Sequence, residues 1–151
     1  MSTSSSRVLL DTSAVIDPPD RDDLPVNTEV AISSITLAEL SAGVNAAHRP
    51  RERAIRLVRL QRIEATIASL SFTPAAARMY GQLYAMVMES GRKPRRRQMD
   101  LLIAAVAAGH QLPLVTRNSA DFADLQPLMK IIALPGRSAA TADQGADDGC
   151  A

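Results

Sequence analysis

Cysteine and aromatic residues are almost missing from this chain: one Cys (Cys150), no Trp, two Tyr and two Phe in 151 residues. A single thiol beside the last residue excludes an intrachain disulfide and a thiolate zinc site. Only His48 and His110 supply imidazoles, which leaves little for a His-based metal centre. Long apolar runs are lacking too. The longest, residues 101–109, is half of what a membrane span needs. The N-terminal MSTSSSR has one positive charge, and Asp11 interrupts the apolar stretch behind it. No secretory leader is expected from that pattern, and the cytoplasm is the expected compartment.

What is present matches an ordinary globular chain, with 46% hydrophobic and 22% charged residues. The length suits one domain. Formal net charge is only +1, but residues 1–136 carry 16 basic against 13 acidic side chains. Eleven of the 17 bases lie in two short stretches. Arg49, Arg51, Arg53, Arg56, Arg59 and Arg62 form the first; Arg92, Lys93, Arg95, Arg96 and Arg97 form the second. Such clustering suits a polyanionic partner. The plainer reading of the first stretch is the wet face of an amphipathic helix.

Periodicity predicts strands at 8–10, 30–33, 67–72, 112–116 and 130–134. Helices are predicted around 12–17, from Leu37 to about Asn45, over 50–66, from Pro74 to near Gly91, over 99–108 with Gly109 as its cap, and briefly from Asn118 or Ser119. Residues 92–97 read as a basic loop. A flexible start (1–6) and a disordered tail (137–151) flank one domain at 7–136. Strands that are continuously apolar and alternate with helices predict an α/β fold, a central parallel sheet covered on both faces. Ligands of such sheets bind outside the carboxyl ends of the strands.

Four carboxylates fall there: Asp11, Glu39, Asp100 and Asp121. Each has an ordinary structural explanation. Asp11 could cap the helix at Thr12, Thr36 and Glu39 could form a capping box, and Asp121 could complement a helix dipole. Asp100 resists this treatment, because it opens a helix whose next eight residues are apolar and buried charge is costly. Four gathered carboxylates would repel one another by up to about 4 kcal/mol per pair at 4 Å and an effective dielectric near 20. A cation resolves the conflict. An oxygen-only donor set suits Mg²⁺, with Mn²⁺ able to substitute, and the associated chemistry is phosphodiester hydrolysis. Arg92, Lys93, Arg95, Arg96 and Arg97 would hold flanking phosphates.

The segments LLDTSAVI (9–16), SSITLAELSAG (33–43) and RRRQMDLLIAAVAAGHQLPLVTRNSADF (95–122) resemble the PIN-domain ribonucleases, specifically the VapC toxins of toxin–antitoxin pairs. The resemblance implies a three-layer α/β/α fold and a magnesium-dependent endoribonuclease that leaves a 5′-phosphate and a 3′-hydroxyl. It also implies a homodimer held inactive by a VapB-like antitoxin. Asp11 and Asp100 would be the principal ligands and Glu39 would complete the set. Either Asp121 or Asn118 would take the fourth position, and Thr116 and Asn118 would orient ligands or water.

Tyr80 and Tyr84, four apart on one helix, read as packing residues rather than stacking platforms, which points to structured RNA such as tRNA or rRNA. A phosphoacceptor receiver would need an acidic pair after the first strand. A haloacid-type phosphatase would need an aspartate where Ser13 stands. The remaining rival is a non-catalytic module of the same fold that binds RNA or protein.

Overall fold

The computed structural model describes residues 5–136. Strands β1 (Arg7–Leu10), β2 (Glu29–Ser33), β3 (Ala68–Leu70), β4 (Leu114–Thr116) and β5 (Ile131–Ala133) form one sheet in the order β3-β2-β1-β4-β5. Every pairing is parallel. Helices α1 (Thr12–Ile16), α2 (Ser34–Ala46), α3 (Pro50–Thr66), α4 (Pro74–Glu89) and α5 (Gln98–Gly109) connect the strands, with 3-10 segments at Pro94–Arg97 and Ser119–Leu125.

Alternation along the strands divides the interior into two cores. Leu9, Ala31 and Leu114 face α4 and α5, while Val8, Leu10, Ile32 and Val115 join Ala14, Val15 and Ile63 on the other side. Both faces of the sheet are thus covered, as apolar strands require. Strand order reverses direction at β1, so the point where parallel α/β sheets open a crevice lies just beyond Leu10.

Local chemistry explains where elements differ from the expected bounds. Helix α2 starts at Ser34, three residues before the expected Leu37, because Ser33 is its cap and accepts a hydrogen bond from Thr36 N at 3.0 Å. The basic segment expected as loop is a 3-10 turn started by Pro94. Gly109 is not the cap of α5 but its last helical residue. The cap turn is made by Gln111 at φ 58°, with Leu112 N bonded to Ala107 O. Gly109 is required for another reason: a Cβ there would sit 2.7 Å from Ala76 N of α4.

Helix α3 keeps its expected limits but not its expected packing. Only Ile63 is buried, in the core on the second face of the sheet, while Ile55, Leu57 and Val58 stay exposed; Arg53 and Arg56 tie the other end of α3 to the end of α2. Of the N-terminal segment, residues 1–4 lie outside the described residues, and Ser6 O accepts from Glu29 N. The tail 137–151 also lies outside them. Among the described residues no helix is long and apolar enough to cross a membrane.

Gly109→Ala is expected to lower stability by about 1–3 kcal/mol through overpacking against Ala76. Gly81→Ala, in α4 with nothing within 4 Å of its added Cβ, should raise it by up to about 1 kcal/mol. Urea denaturation of the two variants measures both.

Candidate active site

Asp11 leaves β1 at the sheet's switch point and is only 3% exposed. Its Oδ1 accepts from Ala14 N at 2.9 Å and Ser13 Oγ at 2.6 Å, and its Oδ2 accepts from the buried Thr116 hydroxyl at the end of β4. The capping explanation is therefore correct for Asp11, and it fixes the carboxylate rather than using it up: the same bonds lock it between α1 and β4. Thr116 Oγ1 also accepts from Asn118 N at 3.0 Å, shaping the turn after β4.

Glu39 is not in a capping box. With Ser33 as the cap, Glu39 is the sixth residue of α2 and out of reach of the helix's free N–H groups. Its Oε1 instead accepts from Thr12 Oγ1 at 2.6 Å, and that hydroxyl lies 3.3 Å from Thr36 Oγ1. A helix-stabilising role for this glutamate thus has no partner, whereas a bond into the crevice does.

Asp100 stands in the first turn of α5, whose N-terminus opens onto the same edge. Burial pushes its carboxyl above the ordinary aspartate range, and the charge of Asp11 pushes the same way. Arg97 opposes the shift, while Asp121 and Glu39 add to it. The other three predicted carboxylates thereby all lie within electrostatic reach of Asp100. Asn118 and Asp121 are both exposed, and of the two only Asp121 carries a charge that acts on Asp100.

Arg97 does not belong with the exposed bases. Its side chain is 17% exposed and turns inward, with Nη2 3.9 Å from Asp121 Oδ1 and Nη1 4.0 Å from Asp124 Oδ1. These distances are too long for hydrogen bonds, and Arg97 Nη1 and Asp124 Oδ1 are both buried without a hydrogen-bond partner. Arg92, Lys93, Arg95 and Arg96 remain exposed around it.

Sequence reasoning missed Thr12, Ser13, Asp124 and Arg117. Arg117 bonds the carbonyls of Asp17, Pro18 and Pro135 and, through its backbone N–H, Ser13 Oγ. Ser13 carried a signal in hindsight, since a hydroxyl two residues beyond a buried aspartate can bond it. The others act through neighbours distant in the chain and left no local trace.

The donor set consists of carboxylate oxygens with no sulfur or imidazole among the residues named, which fits a hard divalent cation. Among the described residues no three of these groups stand in ready-made ligating geometry. The case rests on donor type and on the mutual repulsion centred on Asp100.

A raised pKa in the folded state means that ionising Asp100 opposes folding, so the penalty is present above that pKa and vanishes as pH falls toward the unfolded value. Asp100→Asn should therefore raise the melting temperature in EDTA at pH 7, and the gain should shrink toward pH 4. Melts across that range check both signs.

Comparison with known proteins agrees with this fold. The PIN domain family matches residues 8–126. Ribonuclease VapC5 of Mycobacterium tuberculosis is 41% identical over 128 residues, covering 83% of this chain and 92% of that protein. A crystal structure of VapBC-5, a member of the VapBC toxin–antitoxin family from the same organism, superposes with TM-score 0.74 at 40% identity, covering 85% of this chain and 99% of that one. VapBC2 of Rickettsia felis, solved bound to a DNA fragment from its promoter, gives TM-score 0.65 at 26% identity, covering 85% and 97%. With its five-stranded parallel sheet and its acidic switch point, this chain belongs to the PIN-domain family and, within it, to the VapC proteins.

Proposed function

We propose that the chain is a metal-dependent endoribonuclease, the toxin of a toxin–antitoxin pair, that hydrolyses RNA phosphodiester bonds at the carboxyl edge of its sheet in the cytoplasm. One observation carries the reading: a chain 41% identical to a VapC ribonuclease holds the buried Asp11 in fixed orientation at the sheet's switch point, and burial together with the charges of Asp11, Asp121 and Glu39 raises the pKa of Asp100. A non-catalytic module would have no use for that repulsion, and capping accounts for Asp11 alone among the four.

Asp11, Glu39, Asp100 and Asp121 would hold the ion, with Mg²⁺ as the resident metal and Mn²⁺ as a substitute. A divalent cation there would lower the pKa of a bound water and offset charge on the phosphoryl and leaving oxygens. The protein's own groups prepare the rest. Thr116 and Ser13 hold Asp11 in one orientation, and Thr12 holds Glu39, which is placed to take a proton from the attacking water. Asn118 borders the same turn and orients water.

Arg97 balances part of the acidic charge before substrate arrives, while Arg92, Lys93, Arg95 and Arg96 grip the flanking phosphates. With so few aromatics for serial stacking, shape and phosphate contacts favour a folded target such as tRNA or rRNA.

The partner is a VapB-like antitoxin, and the toxin is a homodimer. The exposed Ile16, Ile55 and Val58 border a cavity of about 630 Å³ rimmed by Arg59 and Arg62. An amphipathic segment with acidic flanks fits that apolar, cation-edged seat.

Wild-type protein with Mg²⁺ should cut cellular RNA at discrete sites and favour folded tRNA or rRNA over unstructured oligonucleotides. Asp11→Asn, or EDTA, should abolish the cuts, as mapping of 5′ ends will show; activity surviving both would defeat the assignment. Replacing Arg95 and Arg96 by Ala should flatten the salt dependence of single-stranded RNA affinity by about 0.7 log unit per lost phosphate contact, measured by fluorescence anisotropy.

A further inference from the structure

Helix α4 ends in a turn that reverses the chain. Gly91 adopts φ 78°, Gly91 N bonds to Met88 O and Arg92 N bonds back to Val87 O, so residues 92–96 fold against the last turn of the helix. Two adjoining cavities result. One, of about 400 Å³, is bordered by Arg92, Arg96, Arg97 and Asp121. The other, of about 500 Å³, is bordered by Tyr84, Met88, Pro94 and Arg95. Gly91, Arg92, Lys93 and Arg96 line both, which makes them one groove running outward from Asp121. Asp121 is the sole acidic side chain lining it among the described residues.

Tyr84 is half-buried against the core, as its helical spacing predicted, and it also forms a wall of this groove. Its ring is backed by Tyr80 with centroids 6.0 Å apart and planes tilted by 49°, so it is held in place before any ligand arrives. Met88, 58% exposed, offers a soft apolar surface beside it.

An aromatic ring and a thioether next to four exposed cations form a composite surface. The flat apolar part suits a nucleobase, and the cations suit the phosphates on either side of it. The combined volume is in the range of small-ligand pockets. No second aromatic lines the groove, so it takes one base and not a stacked run.

We propose that the groove between the end of α4 and the 92–96 turn is a nucleotide subsite, in which one unpaired base of the RNA, adjacent to the cut, stacks on Tyr84 and Met88. This rests on the nuclease reading for its orientation toward Asp121. It adds base preference to a surface that otherwise reads only phosphate and shape, and it selects targets that present a splayed nucleotide within a fold.

The test uses the full chain and a short single-stranded RNA carrying one 5-iodouridine, irradiated in EDTA and followed by mass spectrometry. Cross-links at Tyr84 or Met88 are expected; cross-links confined to other surfaces overturn the subsite. In parallel, Tyr84→Leu keeps apolar volume but removes the ring, and should weaken oligonucleotide binding about tenfold and relax base preference beside the cut. Tyr84→Phe should keep both. Equal binding and equal preference in all three proteins would overturn the subsite while leaving the nuclease intact.

A Tyr84 cross-link in a protein that cuts no RNA with Mg²⁺ would instead keep the subsite and remove the nuclease. Sedimentation of Met88→Arg adds a further check. An unchanged oligomeric state is expected, and loss of a wild-type dimer would reassign this surface to contact between copies.

Discussion

Everything at the catalytic edge depends on how the carboxylate of Asp11 is held. A nearly inaccessible anion in a small α/β domain is costly unless its oxygens are hydrogen-bonded, and here a backbone amide and a hydroxyl bond Oδ1 while a second hydroxyl bonds Oδ2. Those donors come from α1 and β4, so satisfying one charge also joins the first strand to the fourth, 105 residues later. Capping and function are not alternatives at this position. The helix needs an acceptor at its start, the proposed metal chemistry would need an oriented carboxylate, and one side chain at the switch point meets both requirements.

The second constraint is charge imbalance. Asp100 is pushed toward its protonated form by burial and by three acidic neighbours, and Arg97 compensates only in part. The guanidinium stands close to Asp121 and Asp124 without forming a hydrogen bond to either, leaving a buried donor and acceptor unmatched. A small domain tolerates such an arrangement where ligand binding, rather than folding, resolves it. In the proposed function, the acidic edge and the basic rim are two parts of one device for an RNA phosphate flanked by further phosphates.

Much of this was legible from residue order alone. Continuous apolar strands gave the doubly covered sheet, Pro50 and Thr66 bound α3 as expected, and the positions of four acids relative to the strand ends located the crevice. Illegibility began where meaning depended on a partner far along the chain. Thr36 and Glu39 have the spacing of a capping box, yet Ser33 took the cap and released the glutamate toward Thr12. Gly109 looked like a helix terminator and turned out to be a contact point for Ala76. Arg97 read as one more surface base in a run of them, and only the fold turns it inward. The apolar residues of α3 had the right period for a core face, but among the described residues only Ile63 is covered, while Ile55 and Val58 are exposed, a difference that periodicity cannot register.

Arg117 gathers the carbonyls of Asp17, Pro18 and Pro135 into one clamp beside Ser13. Because all five strands run the same way, this clamp holds Pro135 at the rim that carries Asp11, whereas Ser6 lies at the opposite rim. The molecule thus has a busy pole and a quiet one. An affinity handle attached ahead of Ser6 is thus separated from Asp11 by the length of β1, whereas Pro135 and Arg117 lie at the same end of the sheet as that aspartate.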